Sequence, residues 1–182
     1  MTIMSAMNRT SKSLCAVVCL VSVLVSALAA QPSRAQGIER LGDYGDWSSF
    51  RFSEDGNLAC YMSSEPKKAV GKYTKRGDVF AIVTHRPAEK RFGEVSIVAG
   101  YSYRKDSWAE VKIGKQTFQL FTQDDGAWAP DAEIDKKLVR AMRKGRTMVV
   151  TGTSTRGTLT TDTYSLSGFT KASRAIAKAC GL

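Results

Sequence analysis

The sequence holds one histidine, four cysteines and a single long apolar run. With one imidazole, zinc sites of the Cys2His2 type are excluded, and histidine-based catalysis rests on His85 alone. The G-x-S-x-G, C-x-x-C, H-E-x-x-H and P-loop patterns are all missing. The chain therefore carries no signature of a serine hydrolase, thiol redox enzyme, zinc protease or phosphate-cradling loop. A single apolar run excludes a multi-span membrane protein. What is present is ordinary for a globular chain. The 182 residues suit one domain, and 43% hydrophobic with 24% charged residues excludes disorder or collagen as the overall state. Lys+Arg 27 against Asp+Glu 17 gives a net charge of +10.

The N-terminus reads as an address. Arg9 and Lys12 stand in an opening segment without acids, and residues 14–30 are uncharged. Ala27-Leu28-Ala29 fits an A-x-A cleavage site, and Ser33-Arg34-Ala35 is a second candidate. This charged, apolar, small-residue order predicts a secretory signal peptide over residues 1–35 and a single domain over 36–182. The competing reading is an uncleaved anchor, at the short end of the ~17–25 residues a span needs. Cleavage removes Arg9, Lys12 and Arg34, leaving Lys+Arg 24 against Asp+Glu 17, a net of +7. It also removes Cys15 and Cys19. Cys60 and Cys180 remain, and in an exported chain they read as one disulfide, with two free thiols as the alternative. A loop this long is worth roughly 4–5 kcal/mol in the chain-entropy model, as an upper figure.

The rest reads as strands with two helices. Residues 47–52 and 58–62 flank a turn at Glu54-Asp55-Gly56-Asn57, which predicts a hairpin. Residues 63–78 look like a polar, basic connection, and 79–83 an apolar strand. From Phe92 to Arg104 the pattern alternates, with Val95, Ile97, Ala99, Tyr101 and Tyr103 on one face. Residues 108–113 and 116–121 flank Gly114-Lys115, a type II′ hairpin signature. Residues 147–151 and 159–166 form a further hairpin. A helix over 131–144 has Asp131 as its cap, basic residues in its last turn and Gly145 as its stop. Its inward stripe is Ile134, Leu138, Ala141 and Met142. A second helix, about 168–180, turns Cys180 toward the body. The expected fold is mainly β (α+β), an antiparallel sandwich or curled barrel of about eight strands with two packed helices.

Chemistry is sparse. His85 ends an apolar strand, and a hydrolase built on it needs a nucleophile delivered by the fold. Asp124-Asp125-Gly126 resembles a fragment of a calcium loop but lacks the other ligands, so no metal site is expected. Tyr101, Tyr103 and Trp108 suggest a stacking platform, although the tyrosines continue an apolar face and so read first as core. The basic residues are the stronger signal. Lys136, Arg140, Arg143 and Lys144 share one face of the first helix, and Lys171, Arg174 and Lys178 share one face of the second. Lys67, Lys68, Lys72, Lys75 and Arg76 add to them. For an exported protein the matching partners are anionic envelope lipids, acidic glycans or a host-surface component. Export argues against nucleic acid, and the processed chain is not expected to be an integral membrane protein.

Tyr164-Ser165-Leu166-Ser167-Gly168-Phe169-Thr170-Lys171-Ala172, with Ile176 and Cys180 beyond it, resembles the closing motif of the invasion associated locus B family. Gly45-Asp46-Trp47 is similar to its opening G-x-W motif. Leu138, Met142 and Gly145 resemble its L-x-x-M-x-x-G segment. The resemblance spans about residues 42–180. Members often carry a cysteine soon after the opening tryptophan and a mid-chain pair. Residues 50–52 and 124–128 hold none here, which leaves Cys60 and Cys180 as the pair to propose. The resemblance implies a compact, β-rich periplasmic, secreted or surface protein of a Gram-negative bacterium, associated with host-cell entry or persistence. It implies no enzyme activity, cofactor or catalytic residue.

Intact mass of the protein from its native cell, alkylated without reduction, tests the leader and the disulfide together. The expected mass matches cleavage after Ala29 or Ala35 and is two hydrogens light with no alkylation. A full-length, fully alkylated mass overturns both.

Overall fold

Eleven β-strands and two α-helices follow one another along residues 37–182, the part of the chain described by this computed structural model. The expected leader, residues 1–35, lies outside it. The strands are β1 (Glu39–Tyr44), β2 (Trp47–Glu54), β3 (Asn57–Ser64), β4 (Lys68–Gly71), β5 (Phe80–Arg86) and β6 (Arg91–Val98). They continue as β7 (Trp108–Ile113), β8 (Gln116–Gln123), β9 (Gly126–Trp128), β10 (Thr147–Thr153) and β11 (Leu159–Ser165). Helix α1 (Ala132–Lys144) joins β9 to β10, and α2 (Phe169–Ala179) follows β11. All pairings are antiparallel, in the order β1-β2-β3-β5-β6-β9-β8-β7-β10-β11-β4. The mainly-β, antiparallel class with two helices is as expected. The strands form one continuous sheet, and it is not closed into a barrel.

The hairpins form where turn chemistry and alternation agree. Asp55-Gly56 turns β2 into β3, and Gly114 takes the positive φ that its hairpin requires. Three strands are additions. β1 pairs with β2, β9 inserts between β6 and β8, and the basic connection contains β4, paired with β11. β4 is four residues long, carries Lys68 and ends the sheet, as suits an edge. The strand expected over 92–104 stops at Val98, because Gly100 adopts φ +68° and turns the chain. Tyr103 returns through an isolated bridge to Ser154.

Helix α1 begins as its sequence dictates: an Asp131 carboxylate oxygen accepts the N–H groups of Glu133 and Ile134, both at 2.9 Å. Its stop is different. Gly145 is extended rather than left-handed, and a Cβ there would press on Ile113 and Leu166. Its glycine is a packing requirement. α1 packs on β6, α2 packs on β2, and the two helices touch. Between helices and sheet lie Trp47, Met62, Ile97, Leu120, Leu138, Met142, Tyr164, Phe169 and Ile176, all fully buried.

A seam holds the second strand of this order to the tenth. The β1–β2 turn meets the segment after β11: Asp46 N–H donates to Ser167 O at 3.0 Å, and Trp47 Nε1–H donates to Ser165 O at 3.0 Å. The Trp47 and Phe169 rings meet edge to face at 5.0 Å. The approach depends on Gly168, whose φ is +86° and whose Cβ, if present, would overlap Tyr44 O. Nearby, the Cys60–Cys180 disulfide closes 120 residues of sequence and ties α2 to β3.

Gly168→Ala should destabilise the fold by about 3 kcal/mol or more, from left-handed strain plus the Tyr44 overlap. Gly56→Ala, at a similar φ of +81° with nothing nearby, should cost about 1 kcal/mol. Urea unfolding of the two variants checks the difference, and equal losses would refute the steric role of the seam.

Candidate functional site

A polar cleft is built around a buried ion pair. Asp162 sits on β11 between Thr160 and Tyr164 on the strand's inward face, a costly place for a carboxylate. Arg76, from the loop 72–79, reaches in to meet it. Its Nη1 and Nη2 donate to the two Asp162 oxygens at 2.7 and 2.6 Å, and Nε donates to Ala99 O at 2.6 Å. Both side chains are more than nine-tenths buried. Burial works against the Arg76 charge, but the hydrogen bonds and charge of Asp162 outweigh it and hold its pKa above the ordinary value. The guanidinium lies 5.0 Å from the centroid of the Tyr101 ring and 5.6 Å from that of Tyr73. Tyr101 Oη and Thr160 Oγ1 are hydrogen-bonded at 2.7 Å. Burial raises the Tyr101 pKa, so its hydroxyl stays protonated at neutral pH.

This anchoring fixes the loop as one wall of a cleft of about 510 Å³. Lys72 and Lys75 stand on that wall, and Arg156 on the β10–β11 turn stands on the other. Hydroxyls of Ser102, Thr155, Thr158 and Thr160 lie among them. No carboxylate and no histidine lines the cleft. Among the described residues, Lys72, Lys75 and Arg156 enter no ion pair. The arrangement can hold an anion.

The structure divides the basic residues singled out in the sequence. Lys136, Arg140, Arg143 and Lys144 are exposed on α1, and Lys171, Arg174 and Lys178 on α2. Lys136 pairs with Glu133 at 2.6 Å. Arg143 Nη2 donates to Ser173 Oγ at 2.9 Å, so it ties the helices together. Of the connecting segment, Lys67 pairs with Asp46, Lys68 lies on the edge strand β4 and Arg76 is buried, which leaves Lys72 and Lys75 for the cleft. The tyrosine platform separates too. Tyr103 is core, Tyr101 floors the cleft, and Trp108 stands elsewhere, opposite Phe121.

His85 sits at a bulge between β5 and β6, where its Nδ1 accepts the Gly93 N–H at 3.0 Å. Burial, with the Arg143 charge, lowers its pKa. The ring is neutral at pH 7 with the proton on Nε2, and Nδ1 is not free to act as a base. The cysteines beside its strand are joined to each other. Asp124 and Asp125 shape the β8–β9 turn, their carbonyls accepting Tyr103 N–H and Ala99 N–H. Among the described residues, no three His, Cys, Asp or Glu side chains are grouped to hold a metal.

The match to known proteins follows these elements. The family model for the invasion associated locus B protein matches residues 47–177, from the seam tryptophan to the last turns of α2. The chain belongs to the invasion associated locus B family. The fold agrees: the crystal structure of invasion associated protein B from Bartonella henselae superposes with a TM-score of 0.54 at 16% identity, over 76% of this chain and 95% of that one. None of the curated proteins matches this chain. Two of the three segments that carry the resemblance to the family, Gly45–Trp47 and Tyr164–Ala172, meet at the seam, and the third, Leu138 to Gly145, belongs to α1.

One group escaped the sequence reading. Asp135, on the buried face of α1, accepts the Val95 N–H through Oδ1 at 2.8 Å. Burial, aided by Glu94 and Asp131, pushes its pKa up to about 6. The folded state therefore binds this proton more tightly than the unfolded chain. The resulting stabilisation is complete below the unfolded value near 4 and is lost as pH rises through about 6. Relative to Asp135→Asn, the wild type should gain about 2 kcal/mol on going from pH 7 to pH 4. His85 contributes with opposite sign but is common to both proteins and cancels. Chemical denaturation of both across this range checks it, and parallel curves would refute it.

Proposed function

We propose that this member of the invasion associated locus B family is an exported, non-enzymatic protein of the cell envelope or surface that acts by binding anionic groups. The observation that carries this reading is the cleft around Arg76. Three unpaired cations, Lys72, Lys75 and Arg156, surround hydroxyl donors with no carboxylate among them. Such a site attracts phosphate or carboxylate groups and repels cations, and its pull weakens with salt. The exposed bases Arg140, Lys144, Lys171, Arg174 and Lys178 supply longer-range attraction. The disulfide suits an oxidising compartment outside the cytoplasm. No helix among the described residues is long and apolar enough to cross a membrane. Anionic lipid headgroups and acidic glycans share the chemistry this cleft would take. The family's name gives host-cell invasion as the setting in which they would be met.

The test uses phosphatidylcholine vesicles with and without phosphatidylglycerol, and soluble alginate as an acidic glycan. At least one anionic probe should bind, and Lys72→Glu/Lys75→Glu/Arg156→Glu should weaken it about tenfold or more, which is 1.4 kcal/mol or more. Arg140→Glu/Lys144→Glu, which spares the Arg143–Ser173 link, should have a smaller effect. The reverse ranking would move the site to the helices, and no binding to either anionic probe would overturn the reading.

A further inference from the structure

A row of aromatic rings crosses the outer face of the sheet. Register places Trp108 of β7 opposite Phe121 of β8, and Phe121 opposite Trp128 of β9. Their strand neighbours Ala109, Leu120 and Ala127 are buried, so the three rings point outward. Trp108 is 54% and Phe121 38% exposed, and Trp128 is half-buried. At the ~4.8 Å spacing of adjacent strands the row is about 10 Å long.

The Trp128 indole folds along its own strand, and the Phe121 ring stacks against it. The benzo ring of Trp128 covers Gly126, where a Cβ would overlap Cη2, Cζ2 and Cζ3. Glycine at 126 is what lets the indole fold back over its own strand and turn its other face outward. The Phe121 plane is inclined only 30° to it, with centroids 5.8 Å apart. The row runs into a groove of about 650 Å³ that also contains Phe92, itself 45% exposed. Three basic side chains on the groove (Lys90, Arg91 and Lys136) match three acids, Glu94, Asp131 and Asp135. Arg91 and Lys136 are already paired, with Glu94 and Glu133.

We infer that this aromatic row and its groove bind a neutral oligosaccharide. A pyranose ring presents a C–H face that stacks on an aromatic plane and a rim of hydroxyls that hydrogen-bond charged side chains. A narrow aromatic strip bordered by donors and acceptors of balanced charge fits that chemistry. A polyanion would gain no net attraction here, unlike in the basic cleft, with which this groove shares no lining residue. A bilayer would require a broader apolar surface without carboxylates. This inference stands apart from the anion-binding reading.

Tryptophan fluorescence and calorimetric titration of the protein with cellohexaose, maltoheptaose and chitohexaose test it. At least one sugar should bind saturably, and Trp108→Ala and Phe121→Ala should each weaken it about tenfold or more with unchanged thermal unfolding. Gly126→Ala, which tilts the indole, should also weaken it. The Lys72→Glu/Lys75→Glu/Arg156→Glu variant should bind the sugar normally, which separates this site from the anionic one. Failure of all three sugars to bind, or full binding by Trp108→Ala/Phe121→Ala, overturns the inference. Binding to phosphatidylcholine vesicles in place of sugar, or a dimer abolished by Trp108→Ala, would assign the row to lipid or to a second copy and overturn it equally.

Discussion

The fold depends on the close approach of two backbones far apart in sequence, the β1–β2 turn and the segment entering α2. Gly168 has no side chain at the point where Tyr44 O passes, and that gap lets Trp47 bury its ring against Phe169 while its indole N–H reaches Ser165 O. One missing Cβ thus permits a half-buried hydrogen bond, an edge-to-face aromatic pair and the docking of α2. An eleven-stranded antiparallel sheet exposes edges and twists strongly. Here the seam draws β2 toward the end of β11, and α2 covers the space between. The disulfide adds a covalent tie on the same helix. That the opening and closing motifs of this family meet at the seam has a physical reason: each segment is held by the other.

A second constraint, the Arg76–Asp162 pair, converts a basic loop into a wall. A carboxylate on the inward face of β11 would be strongly unfavourable alone, and two guanidinium hydrogen bonds with Ala99 O and two tyrosine rings around them offset that cost. The loop gains fixed geometry, and Lys72 and Lys75 gain fixed positions facing Arg156. The aromatic row is positioned by different means, strand register and the absence of a side chain at Gly126. The two surfaces differ in chemistry because one collects like charge around hydroxyls and the other balances charge around flat rings.

Legibility followed the range of the interactions. The β2–β3, β7–β8 and β10–β11 hairpins were readable, since turn residues and alternation sit within a few positions of each other. So was the start of α1, whose cap is local. β1, β4 and β9 were not readable, because short strands of mixed polarity acquire their identity from partners elsewhere in the chain. Asp135 was missed for a related reason: it lies one position from an apolar stripe, and only Val95 N–H explains its burial. Arg76 looked like one surface base among five until Asp162 and Ala99 were brought to it. Trp108 suggested stacking in the wrong company, with Tyr101 and Tyr103, since sequence proximity stood in for register.

By itself the sequence determined the charge, the mainly-β class with two helices, the candidate cysteine pair and the family resemblance, because composition, periodicity and short motifs are properties of neighbouring residues. The tertiary structure decided which cations remain unpaired, where His85 spends its Nδ1, and which aromatics stand in a row. The buried pair that leaves Lys72 and Lys75 unpaired spans 86 residues, as Trp47 to Ser165 spans 118, while His85 and the aromatic row depend on the bulge and register of neighbouring strands. Composition and periodicity do not encode the long-range contacts, since each is fixed by what the rest of the fold places opposite.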